Sequence, residues 1–318
     1  MKSRIIILII ATAIGSFAVS DCGAQQKKSL FPEIVDVKHA TPKAAEFFHS
    51  FLTAKSQHNV DATMNDFSNS TLTNIDATLG WAFYTHDALK DVFVQYMPKW
   101  PPSGLSYPTL ILGDKHSALV AFTDTPELFG GEIRALAAID MKDGQVIRWI
   151  DYWDSRHFGA ELAAKLRTPA DKFPTDFKES TAPDNAAPTI RAVAGKLHAA
   201  LAGNDAKGAA ALFSSDAVYE DMTLRTQVLG RLAIERYLRR ALAKLPAGAG
   251  SALLHVVGGD MGGGYEWQAT PAYRASVRRG ISAITLDQDA KITRLTTVWD
   301  GAVIPDADIK ALILLSLD

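Results

Sequence analysis

The residues whose types and spacing could do chemistry gather in Ala217-Val218-Tyr219-Glu220-Asp221, ahead of Gly230 and the run RLAIERYLR. A carboxylate acts as a general base when it reaches an acidic C–H and apolar walls raise its pKa toward neutrality. Candidate walls for Asp221 are Tyr219, Met222, Tyr237, Trp267 and Trp299. A developing enolate oxygen then needs a donor, and His198, Tyr219 and His255 are the candidates. Strand alternation gives Tyr219 and Asp221 one facing and Glu220 the other, so the two acids are not expected to act as a pair. Two readings compete with catalysis at Asp221. It can be a non-catalytic polar group in a ligand pocket, or it can cap a turn or pair with Arg225 or Arg231.

A second constellation is Asp76 with Trp81, Tyr84 and His86, which could line a pocket or simply pack. Trp153-Asp154 and Trp299-Asp300 each end a strand-like segment. Either the Trp crosses a pocket mouth, or it closes a core while the Asp caps the next turn. Arg274, Arg278 and Arg279 sit in an expected strand segment, where one could bind a carboxylate, although surface ion pairing fits most of them. The histidines show no H-x-H or H-E-x-x-H spacing, so no metal site is expected. No G-x-S-x-G elbow occurs. The glycines of VVGGDMGGGYEW lack a P-loop lysine and read as a hairpin or pocket-rim loop. No cofactor is expected.

The elements that must position these residues come in two copies. GEIRALAAIDMKDGQVIRWIDYWD and RRGISAITLDQDAKITRLTTVWD align without a gap at a shift of 146 residues, from Asp154 to Asp300. Ala137 then falls on Ala283, Asp143 on Asp289, Arg148 on Arg294 and Trp153 on Trp299. Such a constant shift argues for duplication. Each copy opens with helical periodicity, AAEFFHSFLTAKSQHNVDATMNDF and IRAVAGKLHAALAGNDAKGAAALF, the second broken at Gly203-Asn204-Asp205. A short strand follows (TLTNI, AVYED), then a helix (HDALKDVFVQYM, RLAIERYLRRAL), then alternating β-rich segments. Asp143-Gly144 signals a tight hairpin. Helices first and antiparallel strands after predict an α+β class, with helices packed on one face of a curved sheet. The copies span 40–165 and 188–318, joined by a Pro- and Thr-rich linker over 166–187.

Residues 1–24 have Lys2 and Arg4, an apolar run from Ile5 to about Val19, and small residues before cleavage positions after Ser20 or Ala24. This is the layout of a signal peptide, so the chain is expected to be exported, periplasmic or secreted, with no membrane span after cleavage. Cys22, the single cysteine, follows Asp21 rather than a small residue, which disfavours lipid anchoring and excludes an intrachain disulfide. The net charge of −2 gives no electrostatic case for nucleic acid.

A helical hairpin, AVYED, GRLAIERYL and strands ending in VWD together resemble the SnoaL-like and ketosteroid-isomerase-like branch of the NTF2-like (nuclear transport factor 2) superfamily, over about residues 40–160 and 188–305. The resemblance implies two cone-shaped domains, each a bent sheet wrapped by helices around a pocket, able to pair within the chain or as a homodimer. It places Asp221 at the general-base position and Leu197 at that of the oxyanion tyrosine; a leucine cannot donate. Copy one has Asn74-Ile75-Asp76 and Phe51 at these places. The expectation is a site for a small apolar molecule in copy two, with Asp221, Tyr219 and His198 as chemistry. Tyr237, His255, Trp267 and Trp299 would line it, with Asp76, Trp81, Tyr84 and Trp153 lining the other copy. The reaction would be isomerisation, dehydration or cyclisation without a cofactor; the alternative is a non-catalytic ligand-binding or interaction module with a degenerate pocket, or a scaffold whose pockets are filled.

Overall fold

A computed structural model describes residues 29–317. The expected signal segment, 1–24, and Cys22 lie outside them. The first half runs β1 (Asp36–Ala40), α1 (Pro42–Ser56), α2 (Val60–Asn65), β2 (Thr73–Asp76), β3 (Trp81–Phe83), α3 (His86–Tyr96), β4 (Ser106–Gly113), β5 (Ser117–Asp124), α4 (Pro126–Phe129), β6 (Ile133–Lys142), β7 (Gln145–Tyr152) and α5 (Ala160–Leu166). The second half runs α6 (Pro188–Ala202), α7 (Ala206–Ala210), β8 (Phe213–Asp221), β9 (Thr226–Leu229), α8 (Arg231–Ala241), β10 (Ala252–Gly259), β11 (Gly262–Gln268), β12 (Arg279–Leu286), β13 (Ile292–Val298) and α9 (Asp306–Leu314). The strands form two separate sheets, ordered β1-β4-β5-β6-β7-β2-β3 and β10-β11-β12-β13-β8-β9. The class is α+β, as expected. The edge strand β1, parallel to β4, was not anticipated.

Local chemistry sets the boundaries. Thr41 caps α1 and Pro42 stands at its first turn, where a missing N–H costs nothing. Asn204 at φ 58° ends the α6 turn and Asp205 caps α7, the break expected at Gly203-Asn204-Asp205. The β6–β7 hairpin turns on Asp143 and Gly144, at φ 52° and 81°. Its counterpart puts Ala290 at φ 56°.

The repeat holds on the last strand of each half but slips on the one before. Asp151 and Thr297 each lie two residues before the closing Trp. Asp151 pairs with Ala137, and Thr297 pairs with Ser282. The counterpart of Ala137 is therefore Ser282, which corrects the gapless match to Ala283. A one-residue slip turns a side chain to the other face. Ala137 accordingly lies in the first core, whereas Ala283 lies in the cluster between the sheets.

That cluster joins the halves. Leu119, Leu136, Ile150 and Tyr152 meet Val257, Ile281, Ala283 and Val298. Within it Arg148 contacts Glu266 at 2.7 Å, and Tyr152 donates to Glu266 at 2.6 Å. His255 bonds Asp140 at 2.9 Å, so it belongs to this contact and not to a ligand pocket as expected. The glycine run forms the β10–β11 hairpin rather than a pocket rim, and at Gly113 and Gly259 the backbones of the two halves approach so closely that a Cβ on Gly259 would lie 3.2 Å from Gly113 Cα. Asp154 and Asp300 cap reciprocally. Asp154 accepts from Gly301 N at 3.2 Å, and Asp300 from Ser155 N at 3.0 Å.

Candidate functional site

Each half carries the same clasp. Asp76 Oδ1 accepts from the N–H groups of Thr78 (2.9 Å) and Leu79 (2.8 Å), and Oδ2 from Trp153 Nε1 (3.0 Å). Asp221 Oδ1 accepts from Leu224 N (2.9 Å) and Oδ2 from Trp299 Nε1 (3.2 Å). Thr78 and Thr223 each donate to the carbonyl of the facing Trp and accept from its N–H. The acid, the threonine two residues on and the closing tryptophan thus form a turn lock. Trp153 and Trp299 are core residues, 2% and 1% exposed.

The halves differ in what surrounds the clasp. Asp221 is 1% exposed, packed among Tyr219, Tyr237 and Trp299 in the second core. Tyr219 and Tyr237 stack edge-on at 5.2 Å, and His198 meets Tyr265 edge-on at 5.7 Å. Trp267 is fully buried and donates to Ser282 Oγ at 3.1 Å. Strand register explains the filling. Val120 pairs with Ala137 and Tyr265 with Ser282, so Tyr265 stands where the first half has Val120. By the same ladder Trp267 replaces Phe122. On the parallel pair, Tyr219 faces Leu295 where Asn74 faces Trp149. The residues expected to line a pocket in the second half, Tyr219, Tyr237, His198, Trp267 and Trp299, instead form its packed interior.

In the first half the corresponding space is a cavity of about 530 Å³, walled by Phe51, Phe67, Phe93, Phe122, Trp149 and Trp153. Asp76, Asp124, Asp151 and Lys55 face it. Of the residues expected there, Asp76, Trp81 and Trp153 do line it. Trp81 is 39% exposed at the rim and donates to Leu166 O at 2.8 Å. Tyr84 lies in a neighbouring cleft, its hydroxyl 3.2 Å from Asp176 O.

Asp76 and Asp151 are direct partners on the parallel strands β2 and β7, on the same face. Partners on neighbouring strands lie about 5 Å apart. Burial raises both, Asp76 to about 6 despite its donors, and Asp151 to about 8. The extra rise at Asp151 comes from ionised Asp76 beside it, with Lys55 opposing. The first proton therefore leaves Asp76 while Asp151 is neutral, and Asp151 ionises only against that charge. Asp151 accepts from Trp149 Nε1. Lys55 binds Asp124 at 3.1 Å and lies 5.0 Å over the Phe122 ring. In the second half the positions of Lys55, Asp124 and Asp151 carry Leu201, Ala269 and Thr297 by helix and ladder register, so only the clasp acid remains.

Asp151, Lys55 and Asp124 were missed in the sequence. Asp151 was readable, because in I-D-Y-W-D it shares a strand face with Trp153. Among the described residues, no group of three or more His, Cys, Asp or Glu is placed to hold a metal ion.

The geometry defines a two-sheet α+β protein with one acid-lined aromatic cavity described in its first half. No protein-family model matches the chain, and no curated protein matches it. Solved structures similar to parts of it are NTF2-like, SnoaL-like and ketosteroid-isomerase-like proteins. A steroid delta-isomerase from Pseudomonas aeruginosa is 18% identical, with 42% of this chain and 93% of that chain covered and a TM-score of 0.33. A SnoaL-like protein of unknown function from Burkholderia thailandensis is 9% identical, with 36% and 95% covered and a TM-score of 0.31. An NTF2-like protein of unknown function from Burkholderia xenovorans is 12% identical, with 35% and 82% covered and a TM-score of 0.30.

Proposed function

We propose that the first-half cavity is a cofactor-independent acid–base site for a small, largely apolar molecule bearing a carbonyl group. The observation that supports it is the Asp76–Asp151 pair, side by side on one sheet face in an aromatic cavity and raised to about 6 and about 8. At pH 7 such a pair holds one proton donor and one ionised acceptor, the division of labour that proton transfer needs. Asp151 donates a hydrogen bond to the carbonyl oxygen. Asp76 takes the adjacent C–H proton to leave an enolate, and where a C=C bond is conjugated with that enolate it returns the proton to the far carbon, so that the double bond moves into conjugation with the carbonyl and the molecule is isomerised. Lys55, held by Asp124, stabilises the negative charge that develops on the oxygen.

A second reading is ligand binding alone. It is favoured by the clasp, since both Asp76 oxygens already accept hydrogen bonds, as those of Asp221 do. Deuterium uptake into cyclohexanone in D2O, followed by NMR, separates the two. The wild-type chain should accelerate exchange. Asp151→Asn and Asp76→Asn should lose about 100-fold or more of that rate, and Asp221→Asn should keep it. No acceleration by the wild type, or full activity in Asp151→Asn, leaves the binding reading.

A further inference from the structure

A second cavity, of about 340 Å³, lies in the crease between the halves and shares no lining residue with the first. The first half contributes the turn after β2, with Ala77 and Thr78. The segment after α5 adds Arg167 and Phe173, and the turn into β12 adds Arg278 and Arg279. This turn was expected to be strand; β12 in fact begins only at Arg279.

Three guanidinium groups therefore meet here, and two are neutralised. Arg167 pairs with Asp300. Arg279 pairs with Glu179 and lies 3.7 Å over the Phe177 ring. Arg278 lies 4.3 Å over the Phe173 ring, and no carboxylate among the described residues pairs with it. In a regular strand Arg278 and Arg279 would face opposite sides. Arg278 instead has φ 59°, a left-handed conformation that non-glycine residues rarely adopt. The break in alternation lets both arginines line one cavity. Stacking on a ring fixes the guanidinium plane and leaves its N–H edges free, the geometry that binds a carboxylate through two parallel hydrogen bonds.

We propose that the crease binds a small carboxylate with a flat apolar body, its carboxylate on Arg278 and its body against Phe173 and Val303. The walls come from both halves, so the ligand bridges them. The site is independent of the acid pair in the first-half cavity.

Benzoate is the probe, titrated calorimetrically into the full chain. Saturable one-to-one binding is expected, and it should weaken tenfold or more in Arg278→Gln. Ala275→Glu, at an exposed residue of the mouth, should weaken it as much without touching the core. If Arg278→Gln does not fold, Ala275→Glu decides. Intermolecular NOEs from the benzoate ring should reach Phe173. Absence of saturable binding, binding unchanged in Ala275→Glu, or NOEs to Trp149 and Phe122 instead would each overturn the proposal. Inorganic phosphate binding as tightly as benzoate would also overturn it, because the apolar body would then contribute nothing.

Discussion

Asp76 and Asp221 show how one residue type in one clasp diverges through its neighbours. Both are held by backbone N–H groups and a tryptophan Nε1, and burial raises both to about 6. Only Asp76 has a second carboxyl beside it, because its strand partner is Asp151 where Asp221 faces Thr297. Asp151 then carries a linkage consequence. Its folded pKa of about 8 exceeds the unfolded value, so the folded chain keeps a proton that the unfolded chain releases. Stability falls as pH rises from about 4 toward about 8, and the contribution is a few kcal/mol at most. Asparagine cannot ionise and still accepts from Trp149. Asp151→Asn should therefore melt like the wild type near pH 4 and several degrees higher at pH 8. Thermal melts across that range check this, and parallel curves at every pH would contradict it.

At the scale of elements, strand register decides which side chains occupy the interior of each half. Trp267 fills the second half because its ladder partner is Gly280, where the first half pairs Phe122 with Ala135. A Cβ on Gly280 would lie 2.3 Å from Trp267 Cζ2. Gly280→Ala should therefore destabilise the second half by about 1–3 kcal/mol, read by denaturant unfolding, while cavity chemistry in the first half is unaffected. A neutral effect would mean that the second interior has room to spare. The order of the helices and strands that the two halves share was legible from periodicity and turn residues, as was the Asp205 cap. The facing of Tyr219 and Asp221 away from Glu220 was legible from alternation; Glu220 bonds Arg294 at 2.8 Å on the outer side. Which half holds the acid-lined cavity was not legible. Tyr219, Tyr237 and Trp267 read equally as pocket walls or as filling, and only the ladder distinguishes the two. The slip between Ala137 and Ala283 hid the equivalence that would have revealed it.

For the whole molecule, the contact between the sheets is polar at its centre. Arg148, Glu266 and Asp140 are each nearly fully buried, at 2%, 0% and 0% exposure. Burial opposes ionisation of Glu266, but Arg148 beside it outweighs that and holds the carboxyl below its usual range. Removing one partner leaves an uncompensated buried charge, at a cost of about 3–5 kcal/mol. Arg148→Met should lower stability by that order, and Arg148→Met with Glu266→Gln should recover part of it. Equilibrium unfolding of the single and double variants checks this; an additive loss would contradict it. The apolar residues of this contact could not be assigned from sequence, since β5 to β7 are buried on both faces and read as continuous hydrophobic runs.

One carboxyl in the first-half cavity is expected to stay protonated at neutral pH beside an ionised one. The most direct measurement is a carboxyl NMR titration of the full chain, with Asp151→Asn and Asp76→Asn assigning the signals. A group titrating near 8 that disappears in Asp151→Asn, and falls when Asp76 is neutralised, is the predicted result. An Asp151 carboxyl titrating near 4, unaffected by Asp76→Asn, would contradict the acid–base reading and leave the cavity a binding pocket.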